Sequence, residues 1–192
     1  MEFDNSFDVP LPPAKAWALL MDIPRIAPCM PGAELTEIVD PQNFKGKISV
    51  RLGPVALTFG GRVAFDGIDD VNHTARVKAQ GSDAKGRGAA NATATFRIEP
   101  AASGSKVLIH TDLTLSGAVA QYGRGVGMIQ ATAAQLVGQF AGNLRTQLGR
   151  DDSAPSHDAP PRPSAAKPIS GLALVVRAIW SKLTGLFSGR RI

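Results

Sequence analysis

Cysteine is nearly absent from this chain, since Cys29 is the single one among 192 residues. One cysteine cannot build an intramolecular disulfide framework, which fits a reducing compartment. The histidines, His73, His110 and His157, are not paired at the spacing of metal ligands, and Cys29 has no partner motif. The sequence therefore predicts neither a metal site nor a catalytic constellation.

The first ten residues, MEFDNSFDVP, also lack an apolar segment. We therefore expect no signal peptide and a protein that stays in the cytoplasm. The chain is long enough for one domain, since about 150 residues suffice to bury a full hydrophobic core.

Net positive charge is small in most of the chain and concentrated near its end. Residues 1–149 hold 14 Lys or Arg against 13 Asp or Glu, whereas residues 150–192 hold 7 against 3. A nearly neutral body argues against a nucleic-acid-binding domain. The basic end indicates contact with an anionic surface.

The chain is predicted to have three parts. Residues 150–168, RDDSAPSHDAPPRPSAAKP, contain five prolines and almost no large apolar residue, which is typical of a disordered linker. This linker separates a domain at residues 1–149 from an amphipathic segment at residues 169–192.

Alternation of apolar and polar residues predicts strands in the first part. In FKGKISVRL, for example, Phe44, Ile48 and Val50 alternate with lysine, serine and arginine. Similar segments, broken by Gly, Pro and Asp turns, follow up to residue 115, which indicates one antiparallel sheet with one wet face.

Two helical regions complete the α+β pattern. PPAKAWALLMD begins with prolines and predicts a short helix, and an apolar stripe from Val126 to Leu148 predicts a long one ending at Gly149. The long helix must cover the apolar face of the sheet. The expected fold is a helix-grip arrangement: a strand, short helices, about six strands and one long helix.

The inward positions of the predicted sheet are unusually small. They include Gly46, Gly61, Ala75, Ala79, Ala90, Ala92 and Ala94. Small residues let the helix pack closely, or they leave room for an apolar guest, and both interpretations remain open. Aromatic and methionine candidates to line such a space are Trp17, Met30, Phe59, Tyr122, Met128 and Phe140.

Two further features have alternative interpretations. GRGVGM at residues 123–128 is similar to a dinucleotide-binding loop, but no acidic residue follows about 20 positions later, so a flexible loop or a gate is expected. The outward face carries Lys45, Lys47, Arg51, Arg62, Arg76, Lys78 and Arg97. It is either a solvated face that guards against aggregation or a docking surface.

The segment ISGLALVVRAIWSKLTGLFSGRR near the end is predicted to be an interfacial membrane helix. On a helical wheel the apolar side collects Leu172, Val175, Val176, Ile179, Leu183, Leu186 and Phe187, with Trp180 at its margin. Arg177 lies opposite and Lys182 at the border, and Arg190 and Arg191 add charge for anionic lipids. Docking to a protein groove and spanning are the alternatives. The expected location is the inner face of the cell membrane.

The order of elements, with AWALLMDIPRIAPCMPGAEL, FKGKISVRLGPVALTFGGRVAF and GMIQATAAQLVGQF, resembles the carbon monoxide dehydrogenase CoxG family of the START-like (SRPBCC) superfamily. The resemblance covers about residues 1–149, and Cys29-Met30-Pro31-Gly32 after the Trp17–Leu20 helix is its most specific part. It implies a helix-grip domain with a hydrophobic cavity. It also implies an accessory protein that brings a molybdenum–flavin–iron-sulfur dehydrogenase to the membrane and binds a lipid quinone non-covalently.

Two classes of function therefore compete. The first is a binding and recruitment protein without catalytic activity, which carries a hydrophobic small molecule. The second is a START-like enzyme, a cyclase or hydrolase, acting on a small hydrophobic substrate. An enzyme needs polar groups that converge in the cavity, and the predicted inward set is apolar except for Thr111. The sequence favours the binding protein.

Overall fold

A computed structural model of the protein describes residues 1–124 and 126–153. Most of the predicted linker and all of the predicted membrane-binding segment lie outside these residues. No helix within the described ranges is long and apolar enough to cross a bilayer.

Seven antiparallel strands form one sheet, as the alternation predicts. They are β1 (Glu2–Val9), β2 (Ala33–Asp40), β3 (Asn43–Leu52), β4 (Val55–Asp69), β5 (Thr74–Asp83), β6 (Gly88–Ala101) and β7 (Gly104–Gly117). The order across the sheet is β1-β7-β6-β5-β4-β3-β2. Each strand from β2 to β6 pairs with the next along the chain, and β1 pairs with β7 at the far side of the sheet.

The helices lie at the two ends of the described chain. Between β1 and β2 come α1 (Pro13–Met21), α2 (Ile23–Ile26) and a 3-10 turn at Ala27–Cys29. After β7 come a 3-10 segment, Ala118–Arg124, and α3 (Val126–Ser153). The α+β helix-grip arrangement expected from the sequence is thus confirmed.

Local sequence accounts for the shape of the first helical region. Pro13 occupies the first turn of α1, where its missing amide is not needed. The Asp22 side chain then accepts a hydrogen bond from the Arg25 amide and begins α2.

The long helix does not end at Gly149, as expected, but continues to Ser153. A glycine ends a helix only when the chain turns there, and Arg150, Asp151 and Asp152 contain no breaker. The 3-10 segment at Ala118–Arg124 also replaces part of the expected flexible loop.

The core consists of two separate buried clusters. The first joins α1, the 3-10 turn and the second half of α3 to the sheet, and it includes Trp17, Cys29, Phe65 and Leu144. The second lies toward the start of α3 and contains Leu52, Leu57, Val119 and Ile129. The apolar face of the sheet is therefore covered at two levels, which leaves the space between them as the place for a site.

Candidate functional site: an apolar cavity between the sheet and the long helix

A cavity of about 620 Å³ lies between the sheet and α3. Its walls include Phe44 and Phe140 of the first cluster together with Leu57, Val119 and Ile129 of the second. The cavity therefore lies where the two clusters do not meet. Its volume falls within the roughly 300–1,000 Å³ typical of small-molecule sites.

Three parts of the fold build the walls. The sheet contributes inward side chains from every strand, α3 contributes one face, and the α2 region closes one side. The α3 residues are Ile129, Thr132, Ala133, Leu136, Val137 and Phe140, and the α2 region supplies Ile23, Ile26, Ala27 and Met30. These side chains make the lining almost wholly apolar.

Several charged residues contact the cavity without directing their charges into it. Glu34, Lys45 and Lys47 border it, but strand alternation directs their side chains to the opposite face of the sheet. There Lys47 Nζ lies 3.1 Å from a Glu34 carboxylate oxygen, and Lys45 Nζ lies 3.0 Å from Glu37. Their main chains, not their charges, form the wall.

A row of small residues crosses the sheet at the cavity. Gly46 pairs with Gly61, Gly61 with Gly81, and Gly81 with Ala90. Gly46 and Gly61 are required by close main-chain approach: a Cβ on Gly46 would lie 2.7 Å from the Glu34 carbonyl oxygen. A Cβ on Gly81 would instead lie 3.2 Å from the Phe59 Cβ, which is a tight contact with a side chain. The alanines are not under this constraint. The glycines at Gly46 and Gly61 therefore serve the approach of neighbouring strands, which neither interpretation of the small inward residues gave, and Ala79, Ala90 and Ala92 border the cavity.

Six of the predicted cavity residues line the cavity in the structure. They are Met30, Phe59, Ala79, Ala90, Ala92 and Phe140. The side chain of Tyr122 lies outside the described residues.

Four predicted cavity residues lie elsewhere, and this is a correction to the expectation. Trp17 packs in the first cluster, where its indole donates a 2.8 Å hydrogen bond to Asp70 and its ring lies 5.9 Å from that of Phe96. Ala75 is buried in the same cluster. Ala94 faces inward but does not border the cavity.

Met128 is the fourth of these residues. Its side chain is exposed and lies against Gly53 of the β3–β4 turn. It was predicted to line the cavity as a methionine near the start of the long helix, but α3 has only just begun there. Its side chain therefore lies against the β3–β4 turn and does not line the cavity.

Several lining residues were not predicted from the sequence. The α2 residues Ile23 and Ile26 were not among the predicted lining residues, although their spacing of three is helical. Asn5 was overlooked as well, although it occupies an inward position of β1 between Phe3 and Phe7. Alternation alone would have identified it.

The most specific part of the family resemblance has a structural explanation. Cys29 is buried, and its thiol donates a 2.8 Å hydrogen bond to Gln147 Oε1, while Asn143 Nδ2 donates to the Cys29 carbonyl at 2.9 Å. Burial raises the pKa of the Cys29 thiol, which favours its protonated form. The segment that carries Met30 is thereby fixed to α3.

The β5–β6 turn is held by a buried carboxylate. Asp83 is 4% exposed and accepts hydrogen bonds from the Arg87 side chain at 2.7 and 2.8 Å and from the Lys85 amide. The Arg87 guanidinium also donates to the Ala56 carbonyl. The Arg87 hydrogen bonds hold the pKa of Asp83 well below its usual range.

The basic outer face is largely neutralised. Lys45 and Lys47 pair with glutamates, Arg76 and Lys78 share Asp66, and Arg97 pairs with Glu99. Within the described part of the chain, Arg51 and Arg62 have no such partner. The face is thus mostly a network of exposed ion pairs, which contribute little to stability individually.

No group of three or more His, Cys, Asp or Glu side chains suited to a metal ion occurs among residues 1–124 and 126–153. The predicted membrane-binding residues, from Leu172 to Arg191, lie outside these ranges and have no structural account.

Comparison with known families decides the identity of the domain. The sequence pattern of CoxG, a carbon monoxide dehydrogenase subunit, matches residues 6–149. The chain belongs to the CoxG family. The match spans the second half of β1 through most of α3 and includes most of the cavity lining, whereas the lining residues Phe3 and Asn5 precede it.

Solved structures similar to this CoxG domain show the same fold. A conserved protein of Geobacillus kaustophilus is 16% identical, with a TM-score of 0.67 over 79% of this chain and 97% of that one. The Zhui aromatase/cyclase of a Streptomyces species is 13% identical, with a TM-score of 0.56 over 80% and 96%. A Thermus thermophilus protein is 15% identical, with a TM-score of 0.55 over 76% and 98%. No curated protein sequence matches the chain.

Proposed function

We propose that this CoxG protein is a non-catalytic accessory protein that binds a respiratory quinone in its cavity and recruits a molybdenum–flavin–iron-sulfur dehydrogenase to the cytoplasmic membrane. The observation that carries the proposal is the apolar cavity of about 620 Å³ between sheet and helix. A protein that served only as a tether would not need such a space.

The chemistry of the walls supports a neutral apolar guest. Ile48, Val63, Leu113 and Leu136 offer aliphatic contacts around the space. Each methylene group that moves from water into such surroundings gains about 0.8 kcal/mol. The first isoprene units of a quinone tail therefore have favourable contacts here, and the alanines leave room for a ring.

The same lining argues against catalysis. Acid–base chemistry on a bound substrate requires titratable groups directed at it. Among the described lining residues the acid is Glu34, and its carboxylate pairs with Lys47 on the outer face. The likeness to an aromatase/cyclase is one of fold and transfers no catalytic group.

Two further observations support recruitment. The family is named for a carbon monoxide dehydrogenase, an enzyme that must pass on electrons. The sequence after the domain has the apolar stripe and basic residues of an interfacial helix. A cavity joined to such a segment suits the exchange of a molecule that dissolves in the membrane.

The test of ligand binding uses the full-length protein and quinone-loaded vesicles. The protein is mixed with vesicles of phosphatidylethanolamine and phosphatidylglycerol that contain menaquinone or ubiquinone, repurified, and analysed by native mass spectrometry. We expect a quinone adduct from loaded vesicles and none from quinone-free ones. A protein that carries no quinone from either preparation contradicts the carrier function.

Recruitment is tested separately. The full-length protein is immobilised and exposed to native lysate of its own host, with mild crosslinking to preserve weak complexes. Enrichment of a molybdenum–flavin–iron-sulfur dehydrogenase is expected. Failure to enrich any such enzyme, while the protein still binds quinone, would leave a carrier without the proposed partner.

A further inference from the structure

Two polar side chains on the sheet interrupt the apolar lining of the cavity. Asn5 of β1 and Thr111 of β7 both border it. The other polar residues of the sheet that border the cavity, such as Gln80 and Arg62, stand at alternate positions, which direct their side chains to the outer face. Asn5 and Thr111 therefore form the polar spot of the sheet wall.

The register of the sheet brings these two side chains together. Asn5 pairs with Ile109, and Thr111 pairs with Phe3, so Asn5 and Thr111 are diagonal neighbours on one face. Diagonal neighbours lie roughly 7 Å apart between Cα atoms and somewhat less between Cβ atoms. One oxygen atom placed between them lies within hydrogen-bonding reach of both.

The surroundings leave the spot accessible from the cavity. On its other side Thr111 pairs with Ala94, whose small side chain does not cover it. α3 passes over β1, where the Phe7 and Phe140 rings meet edge to face at 5.5 Å. The spot is therefore at the junction of β1, β7 and α3.

Neither side chain is used by the fold. Within residues 1–124 and 126–153 neither the Asn5 amide nor the Thr111 hydroxyl makes a side-chain hydrogen bond to the protein. Thr132, on the facing helix, differs because its hydroxyl donates to the Met128 carbonyl at 2.9 Å. Both side chains are half-buried and open to the cavity, so a guest that displaces water from them must supply a partner, because an unpaired polar group in an apolar wall is costly.

The character of the spot defines the partner. Asn5 and Thr111 are neutral, and both can donate a hydrogen bond to a carbonyl oxygen. An ionised carboxylate, as in a fatty acid, would find no cation directed into the described lining and would remain an unpaired charge. The spot therefore favours a neutral guest with a ketone-type oxygen on an otherwise apolar body.

We propose that Asn5 and Thr111 together bind one carbonyl oxygen of the guest's headgroup and thereby set its orientation and specificity. The proposal rests on the function proposed above and adds to it a residue-level basis for the choice of ligand. The headgroup lies against β1 and β7, and the tail lies along the row from Ala90 to Gly46.

The test compares two probes that differ only in their carbonyl groups. They are menadione carrying one prenyl chain and the carbonyl-free naphthalene with the same substituents. Binding to the full-length protein is measured by titration for wild type, Asn5→Leu, Thr111→Val and the double variant. Thr114→Val is the matched control, since it lies on the same strand with its exposed side chain on the other face.

The expected result is a selective loss. Each cavity variant should bind the quinone probe about three- to tenfold more weakly, as expected for one neutral hydrogen bond. Binding of the naphthalene probe should stay the same or improve, and Thr114→Val should change neither. The carbonyl stretch of the bound quinone should shift to lower frequency in wild type and return toward its value in alkane solvent in the double variant.

The outcomes separate the two proposals. If wild type binds both probes equally and the variants do not discriminate between them, the assignment of Asn5 and Thr111 is wrong while apolar binding stands. If wild type binds neither probe, the proposed function fails together with it. A variant that loses both probes to the same extent, with an unchanged circular dichroism spectrum, would also contradict a role specific to the carbonyl.

Discussion

Gly61 of β4 and Gln80 of β5 approach so closely that the position of a Cβ atom on Gly61 is already occupied by the Gln80 carbonyl oxygen. Gly60, its neighbour in sequence, points the other way and would place a Cβ 3.9 Å from the nearest atom, the Lys47 Cγ. A side chain can therefore be accommodated at position 60 but not at position 61.

We predict that Gly61→Ala lowers the free energy of unfolding by about 2 kcal/mol or more, because β4 and β5 must separate to admit the methyl group. Gly60→Ala is the control and should change stability by less than about 0.5 kcal/mol, since it meets only ordinary contacts. Urea unfolding followed by circular dichroism measures both. Equal stability of the two variants would show that the close approach is not a constraint.

Filling the cavity should abolish ligand binding without unfolding the domain. Ala92 lines the cavity on β6, and Ala92→Phe would occupy the space that the guest needs. The next residue, Thr93, lies on the opposite face, so Thr93→Phe adds the same ring outside the cavity. We expect quinone extraction from vesicles to be lost in the first variant and retained in the second.

Trp17 should be important for stability and not for the ligand. Trp17→Phe removes the hydrogen bond to Asp70 and part of the packing against Phe96, which should cost about 1–3 kcal/mol. Affinity for the prenylated menadione probe should change less than about twofold, because Trp17 does not border the cavity. A large loss of affinity at unchanged stability would show that Trp17 contributes to ligand binding.

Acid should weaken the ion pair between Asp83 and Arg87 that holds the β5–β6 turn. The pKa of Asp83 is lowered in the folded protein, mainly by the Arg87 hydrogen bonds, so its ionised form stabilises the fold above the unfolded-state pKa of about 4. That contribution is lost as the pH falls.

The measurement for Asp83 is thermal unfolding at pH 7 and at pH 3 in wild type and Asp83→Asn. We expect the variant to be less stable at pH 7 and the difference to shrink at pH 3. Glu2→Gln, at an exposed position of β1, is the control and should follow wild type at both values. A difference that does not depend on pH would assign the effect to packing and not to charge.

The last prediction concerns residues beyond the domain. Full-length protein should float with vesicles that contain phosphatidylglycerol, and a protein truncated after residue 168 should not. Binding should weaken as salt rises, because Arg177, Lys182, Arg190 and Arg191 contribute electrostatic attraction. Equal flotation of the two forms would contradict the anchor, and carbonate-resistant binding would favour a spanning segment.

Most of the sheet and its inward face were predictable from sequence because several strands alternate, although β2 and β4 contain register shifts. Val77, Ala79 and Gly81 face inward in the structure as the pattern requires, and the β5–β6 register places Ala79 beside Ala92. Alternation identifies the face on which a side chain lies. It does not give the level along the strand at which a helix ends and a cavity begins.

Because the sequence does not show where along each strand the cavity begins, some residues were wrongly predicted to line it. Ala75 and Ala94 were grouped with Ala92 because all face inward, but α1 and the first cluster already cover the end of the sheet where Ala75 lies. Trp17 was assigned to the cavity as an aromatic candidate, and its partner Asp70 is 53 residues away in sequence. Such pairings depend on the assembled fold.

The hydrogen bonds around Cys29 have a consequence for the path of a guest. Cys29, Asn143 and Gln147 join the 3-10 turn and the Arg25 carbonyl to α3 by three hydrogen bonds, at 2.8, 2.9 and 3.3 Å. Moving α2 away from α3 would break all three, at about 1 kcal/mol each, and expose a buried thiol. Opening the cavity on the side formed by Ile23 and Ile26 therefore has this cost, and we expect a guest to enter and leave by a side that these hydrogen bonds do not close.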